Sequence, residues 1–286
     1  MFEILQKSDL NPVVCQMKVQ APRLASVALP GQFLIVRATE KGERIPLTIS
    51  DYNREEGTVT IVTQRVGVSS NKICDLEVGD SFIDVAGPLG KASEFCNEAP
   101  GEGAHYCFIA GGVGAAPVYP QAKYLHDMGV KVDVILGARN SELLIYKEEL
   151  ASVCDTLYVC TDDGSEGFHG LVTTQLEKAV KEDGKNYTQV VAIGPMIMMK
   201  FATQAASALG LPVIVSLNTL MVDGTGMCGA CRITVDGVTR FACVEGPEFD
   251  GTKVDFAEAL SRGRIYSDLE KAAMEEYHKC KIGRGK

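Results

Sequence analysis

Short apolar runs fill the first third of the chain. Residues 13–19, 32–38, 58–64 and 81–85 are rich in aliphatic and β-branched side chains, and Pro, Gly, Asn and Asp punctuate the intervals. No stretch of residues 1–97 has the length and period of an amphipathic helix. About six short strands in that span suggest a small closed antiparallel β-barrel. From Tyr106 the pattern changes. Buried-type runs at residues 106–110, 131–136, 156–160, 190–193 and 213–217 alternate with helical patterns such as 118–128 and 196–209, which implies a parallel sheet covered on both faces. After Asn218 comes a Gly- and Cys-rich loop and a hairpin signature, 231–235 and 238–243 around Asp236-Gly237. Residues 258–279 have helical spacing and are expected to lie back on the body. The expected class is β + α/β, divided as 1–97 (barrel), 98–220 (parallel sheet) and 221–286 (loop, hairpin and helices).

Composition narrows the function. The chain has 286 residues, 28 basic against 37 acidic, a formal charge of −9. That field repels phosphate backbones and argues against nucleic acid. No apolar run approaches the roughly 18 residues of a membrane span, and the charged N-terminal residues show no signal peptide. A cytoplasmic protein is expected.

The first strand of the parallel region runs into Gly111-Gly112-Val113-Gly114-Ala115-Ala116-Pro117. A glycine turn between a parallel strand and a helix lets backbone N–H groups approach a pyrophosphate, although tight strand–helix turns also use glycine for purely structural reasons. Pro117 suits the first helical turn. Ligands sit at the carboxyl ends of parallel strands. There lie Arg139, able to meet a pyrophosphate or stand solvated, and Asp162 and Asp163, which would repel a 2′-phosphate and favour NAD(H) over NADP(H). Either aspartate could equally be a turn residue. Gly194-Pro195-Met196 makes a similar turn after the fourth strand.

Ten cysteines are many for a reducing compartment. Cys15, Cys74, Cys96, Cys107, Cys154, Cys160 and Cys280 are scattered and read as small buried hydrophobes. Cys228, Cys231 and Cys243 cluster. With Asp223 five residues before Cys228, they match the plant-type [2Fe–2S] spacing C-x4-C-x2-C followed by a distant Cys, with aspartate in the first cysteine's place. Carboxylate is a harder donor than thiolate but can ligate iron. Zinc on three thiolates and one oxygen is the competing reading, and an unmetallated thiol hairpin a third.

NADH carries two electrons and a [2Fe–2S] centre one, so a flavin able to hold either number would join them. The barrel segments Arg44-Ile45-Pro46-Leu47-Thr48, Gly67-Val68-Ser69-Ser70 and Gly87-Pro88-Leu89-Gly90 are the candidates to bind it.

Together these motifs resemble ferredoxin–NADP-reductase-type flavoproteins over essentially the whole chain. The order of barrel, nucleotide sheet and C-terminal cysteine loop is similar to the electron-transfer subunits of class B dihydroorotate dehydrogenases. The Asp223-x4-Cys228-x2-Cys231 pattern and the string 221–251 resemble the small subunits of NADH-dependent reduced ferredoxin:NADP oxidoreductases, also known as sulfide dehydrogenases. The resemblance implies an FAD- and [2Fe–2S]-bearing subunit that exchanges hydride with NAD(H). It further implies a heterodimer with a larger flavin- and [4Fe–4S]-bearing subunit, where NADP(H) and ferredoxin react by electron bifurcation. A dihydroorotate dehydrogenase subunit or a sulfide/polysulfide reductase subunit is the alternative. Arg44, Pro46, Leu47 and Thr48 correspond to the R-x-Y-S flavin segment. In strict register Ile45 takes the arginine's place and Leu47 replaces the stacking Tyr. Thr48 is the implied partner of flavin N5, a buried strand-end threonine being the plain alternative. Ile193 stands where many reductases have Cys before Gly-Pro.

Overall fold

The computed structural model describes residues 2–283, and of 280–283 the backbone only, so the Cys280 side chain lies outside the described residues. The first third forms β1 (Phe2–Asn11), β2 (Val14–Gln20), helix α1 (Pro22–Ala25), β3 (Phe33–Arg37), β4 (Ile45–Asn53), β5 (Thr58–Gln64), helix α2 (Val68–Cys74), β6 (Ser81–Phe82) and β7 (Asp84–Leu89). The strands pair antiparallel in the order β6-β1-β2-β5-β4-β3-β7. Only Ile83 separates the two end strands in the chain, so the sheet curls into a nearly closed barrel. Ile4, Met17, Val19, Leu34, Ile49 and Ile61 fill its interior.

Two expectations change here. The strands number seven, and α2 is a helix where none was expected. Seven residues make two turns, too few to register a period. The helix starts because Gly67 is extended at its head, with the Ser70 hydroxyl accepting from the amides of Val66 and Gly67 at 3.0 and 2.9 Å. Cys74 at its end meets Cys15 of β2, the sulfurs 2.7 Å apart in the barrel core. Cys107 and Cys160 are also buried, and Cys96 and Cys154 half-buried.

The second region runs through β8 (His105–Gly111), α3 (Ala115–Asp127), β9 (Lys131–Ala138), α4 (Lys147–Ala151), β10 (Thr156–Thr161), β11 (Phe168–His169), α5 (Val172–Lys181), β12 (Gln189–Ile193), α6 (Met196–Ala208) and β13 (Val213–Ser216). Beyond it come hairpin strands β14 (Arg232–Val235) and β15 (Val238–Phe241), α7 (Ala242–Glu245), β16 (Glu248–Asp250), α8 (Phe256–Arg262) and α9 (Ser267–Gly283). The sheet order is β11-β10-β9-β8-β12-β13-β16, parallel except for β16, which returns antiparallel along the edge of β13. The hairpin turns at Asp236 and Gly237, both with positive φ, as a two-residue loop demands. Its second strand stops at Phe241, two residues short of expectation, because Cys243 belongs to α7. Of the tail helices, α8 buries Phe256 and Ala259 in the sheet region's core. Helix α9 is mostly exposed and reaches the barrel, where Tyr277 donates to Asp75 at 3.0 Å. Among the described residues no helix is long and apolar enough to cross a membrane.

At the sheet's amino end lies a polar knot that the sequence pattern hides. Asp133 of β9 is fully buried, and its carboxylate accepts from Lys185 at 2.8 Å and Tyr187 at 3.0 Å, with His105 at 3.2 Å. Burial works to raise its pKa, but the hydrogen bonds from Lys185 and Tyr187 and the nearby His105 outweigh it and hold the carboxyl below its ordinary value. Replacing Lys185 by Met leaves that buried charge undercompensated and costs about 3 kcal/mol, measurable as a lower denaturation midpoint. In the native protein the carboxylate's contribution is present above the unfolded carboxyl range and is lost as pH falls through the depressed folded value.

Candidate functional site

The carboxyl ends of β8 and β12 press directly against each other. A Cβ on Gly114 would lie 2.2 Å from the Ile193 carbonyl oxygen, and one on Gly194 would lie 3.0 Å from the Gly111 backbone, so only hydrogen fits at either place. In this sheet order the chain reverses between these strands, which is where open α/β sheets bind nucleotides. Gly111, the turn Gly112–Gly114 with Val113, then Ala115 and Pro117 at the head of α3, and Gly194, Pro195 and Met196 at the head of α6 therefore gather at one switch point, Gly111, Gly114 and Ala115 buried and the others reaching the surface. Arg139 and Asp162 follow at the ends of β9 and β10, exposed and with no side-chain partner among the described residues. Asp163 is engaged: its carboxylate accepts from the Ser165 amide and hydroxyl at 2.9 and 2.6 Å, and these bonds lower its pKa. It is the turn aspartate of the pair, which leaves Asp162 as the free acceptor.

The three barrel segments expected around a flavin have different fates. Pro46, Leu47 and Thr48 are half-buried on β4, Thr48 opposite Phe33. Ser70 is committed to the start of α2, and the Ser69 hydroxyl bonds the Glu43 carboxylate. Gly87, Pro88, Leu89 and Gly90 run along β7 to the C-terminal region, where a Cβ on Gly90 would meet the Gly246 carbonyl at 3.0 Å. Arg44 departs most from expectation. Its guanidinium donates to the carbonyls of Val222 and Asp223 at 3.0 and 3.4 Å and pairs with Asp84 at 3.2 Å. In this structure it ties the cysteine loop to the barrel, for which sequence spacing gives no signal.

That loop, residues 218–231, is irregular. Gly224 has φ +86°, and a Cβ there would strike Ile35 and Leu89 at 2.7 Å each, so the chain can lie flat on the barrel only with glycine. Cys231 and Cys243 are buried with sulfurs 3.2 Å apart, and Cys228 is exposed. Burial and the neighbouring Cys231 thiol push Cys243 up to about 12, against a hydrogen bond from the Gly226 amide. Asp223 turns Oδ2 to the Thr225 hydroxyl and to the Thr225 and Met227 amides, the latter two at 2.9 and 3.4 Å. These bonds hold its carboxyl below the ordinary range and leave Oδ1 without a partner among the described residues. Three thiols, a carboxylate and an amide turned toward sulfur suit an iron–sulfur cluster, whose two irons take ligands in pairs. One such pair, Cys231 with Cys243, is already in contact. Among the described residues no three Cys, His, Asp or Glu side chains converge on one ion-sized point.

Barrel, sheet and cysteine region meet at Glu248, another residue no motif marks. Its Oε1 accepts from Ser93 of the barrel side at 3.0 Å and from Gln121 of α3 at 2.9 Å. Burial raises its pKa to about 7, against the opposing hydrogen bonds from Ser93 and Gln121.

Known proteins are similar to this chain. Residues 108–204 match the oxidoreductase NAD-binding domain, and residues 218–255 the iron-sulfur cluster binding domain of dihydroorotate dehydrogenase B. An uncharacterised protein from the adh 3′ region of Clostridium beijerinckii is 51% identical, covering 96% of this chain and 94% of that protein. A Thermotoga maritima homologue of the dihydroorotate dehydrogenase B (NAD(+)) electron transfer subunit is 43% identical, covering 97% and 95%. A chain solved in work on flavin-based electron bifurcation by NADH-dependent reduced ferredoxin-NADP oxidoreductase superposes with a TM-score of 0.89 at 42% identity, covering 97% of this chain and 98% of that one.

Two measurements check the geometry. Replacing Arg44 by Ala removes two hydrogen bonds worth about 1 kcal/mol each, so amide exchange in residues 221–230 should speed by about ten-fold or more with the barrel strands unchanged. Glu248 has a raised folded pKa, so its contribution is complete below the unfolded carboxyl range and is lost as pH rises toward its folded value. Thermal stability should therefore decline between about pH 5 and about pH 8, and Glu248→Gln should flatten that decline.

Proposed function

The chain belongs to the family of dihydroorotate dehydrogenase B electron-transfer subunits and their homologues, and from that premise we propose that it carries electrons between NAD(H) and a larger partner subunit by way of FAD and a [2Fe–2S] cluster. The observation that carries this reading is the convergence of three surfaces. The nucleotide crevice between β8 and β12, the half-buried Pro46–Thr48 stretch of β4 and the cysteine loop pinned by Arg44 belong to one continuous packed body.

Each surface has a task. The glycine turn at 111–114 and the Arg139 guanidinium would hold the pyrophosphate of the dinucleotide, with Asp162 accepting from a ribose hydroxyl. Pro46 and Leu47 would cover a flavin ring by aliphatic contact, and Thr48 would offer its hydroxyl to the ring edge. Cys231 and Cys243 would hold one iron, and Cys228 with Asp223 Oδ1 the other, the oxygen donor setting this cluster apart from an all-thiolate one. When bound, the flavin supplies the exchange between hydride and single-electron chemistry that no side chain here can perform. The protein's part is to bind, to align and to exclude water, so no side-chain acid or base is required.

The larger partner that best fits the resemblance carries flavin and [4Fe–4S] clusters and reacts with NADP(H) and ferredoxin. A dihydroorotate-oxidising partner is the second reading, supported by the match of residues 218–255. Purification from the native cells under anaerobic conditions tests both. The expected material is yellow-brown, contains FAD, iron and acid-labile sulfide, and co-elutes with a larger flavoprotein that oxidises NADPH rather than dihydroorotate. A colourless preparation would overturn the assignment, and a dihydroorotate-oxidising companion would select the second reading. Asp223→Ala should keep the flavin spectrum but alter the cluster's EPR signal and shift its midpoint potential.

A further inference from the structure

A second hollow lies outside the proposed electron path. It has a volume of about 270 Å³ and opens between the cysteine hairpin, the loop after β13, the head of α6 and the end of α8. Three arginines line it: Arg232 on β14, Arg262 at the last position of α8, and Arg264 just beyond. No carboxylate shares the lining, and among the described residues none of the three forms an ion pair. Two of the guanidiniums are held by neutral acceptors. Arg262 Nη2 donates to the Ala230 carbonyl at 3.0 Å and Arg232 Nη1 to the Gly229 carbonyl at 3.3 Å, which fixes their positions without cancelling their charge. Two atoms of the lining residues, Arg262 Nε and Thr219 Oγ1, are buried with no hydrogen-bond partner among the described residues.

We propose that this hollow is a binding site for a compact phosphate-class dianion. Three like charges around one concavity repel one another, and an anion between them turns that repulsion into attraction. The planar guanidinium fork matches two phosphate oxygens at once. Arg232 and Arg264, both at exposed positions, keep N–H donors open to such an anion. Size limits the ligand, since the volume falls below the roughly 300–1,000 Å³ of sites for drug-sized molecules. The hollow meets the dinucleotide crevice only at Met196. Gly111–Gly114, Arg139 and Asp162 sit at the ends of β8, β9 and β10, on the other side of β12. An anion here would bridge the cysteine hairpin to the nucleotide sheet, a link the proposed electron transfer does not require.

Titration calorimetry of the full chain with inorganic phosphate, at constant ionic strength against chloride, tests the site. The expected result is one saturable site. Arg232→Gln and Arg264→Gln, both at exposed positions, should each weaken it by about ten-fold, and the double variant should abolish it, while Arg139→Gln leaves it unchanged. A competing titration with AMP separates the sources: AMP that displaces phosphate and is itself weakened in the double variant marks the phosphate of a small organic compound, and AMP that does not displace it marks free phosphate. Absence of saturable binding, equal binding by the double variant, or loss of binding in Arg139→Gln would overturn the proposal. None of these outcomes depends on the flavin or the cluster, so the site and the electron path stand or fall separately.

Discussion

The cysteine hairpin has no core of its own, and the rest of the molecule is organised around holding it. Two four-residue strands cannot stand alone in water. Ile233 and Val235 from one side of β14 enter the sheet region's core beside Phe256 and Ala259. Cys231, Ala242 and Cys243 instead pack with Met221 on Phe33 and Ile35 of the barrel. Each fully buried aliphatic side chain contributes roughly 2 kcal/mol, so the hairpin is stable only as a wedge between two larger bodies. The same packing brings the candidate cluster ligands beside the barrel that would carry the flavin.

Polar contacts complete what apolar packing begins. Arg44 reaches from the start of β4 to the two carbonyls at the head of the cysteine loop, and Gly224 lets that loop lie within contact of Ile35 and Leu89. On the opposite side Glu248 collects hydrogen bonds from Ser93 and Gln121. Strand β16, which carries it, also covers the otherwise open edge of β13. Strand β16 thus joins the sheet through its backbone and the barrel side through Glu248, and a partly buried carboxyl near neutrality sits at that junction.

Much of this was legible beforehand because it depends on local rules. Alternation and turn residues announced the barrel strands, continuous apolar runs the parallel strands, and Asp236-Gly237 the hairpin turn. The crevice at Gly111–Gly114 followed from a glycine turn after the first parallel strand. Three features did not show. Helix α2 is too short for its period to register. Asp133 reads as a break in an apolar strand, since nothing nearby in sequence reveals Lys185 and Tyr187 as its partners. Arg44 was placed with the flavin by its position before Pro46-Leu47-Thr48, yet its hydrogen bonds go to residues about 180 positions away.

Local chemistry therefore determined the elements, the candidate donor set Asp223, Cys228, Cys231 and Cys243, and the candidate nucleotide turn, because backbone conformation and ligand softness are properties of neighbouring residues. Only the tertiary structure decided which of two aspartates, 162 or 163, is free, which arginine serves the loop, and that three guanidiniums surround one hollow. Those outcomes depend on which groups meet across a fold. Hydrogen bonds and ion pairs act over a few ångströms of space, without regard to separation along the chain.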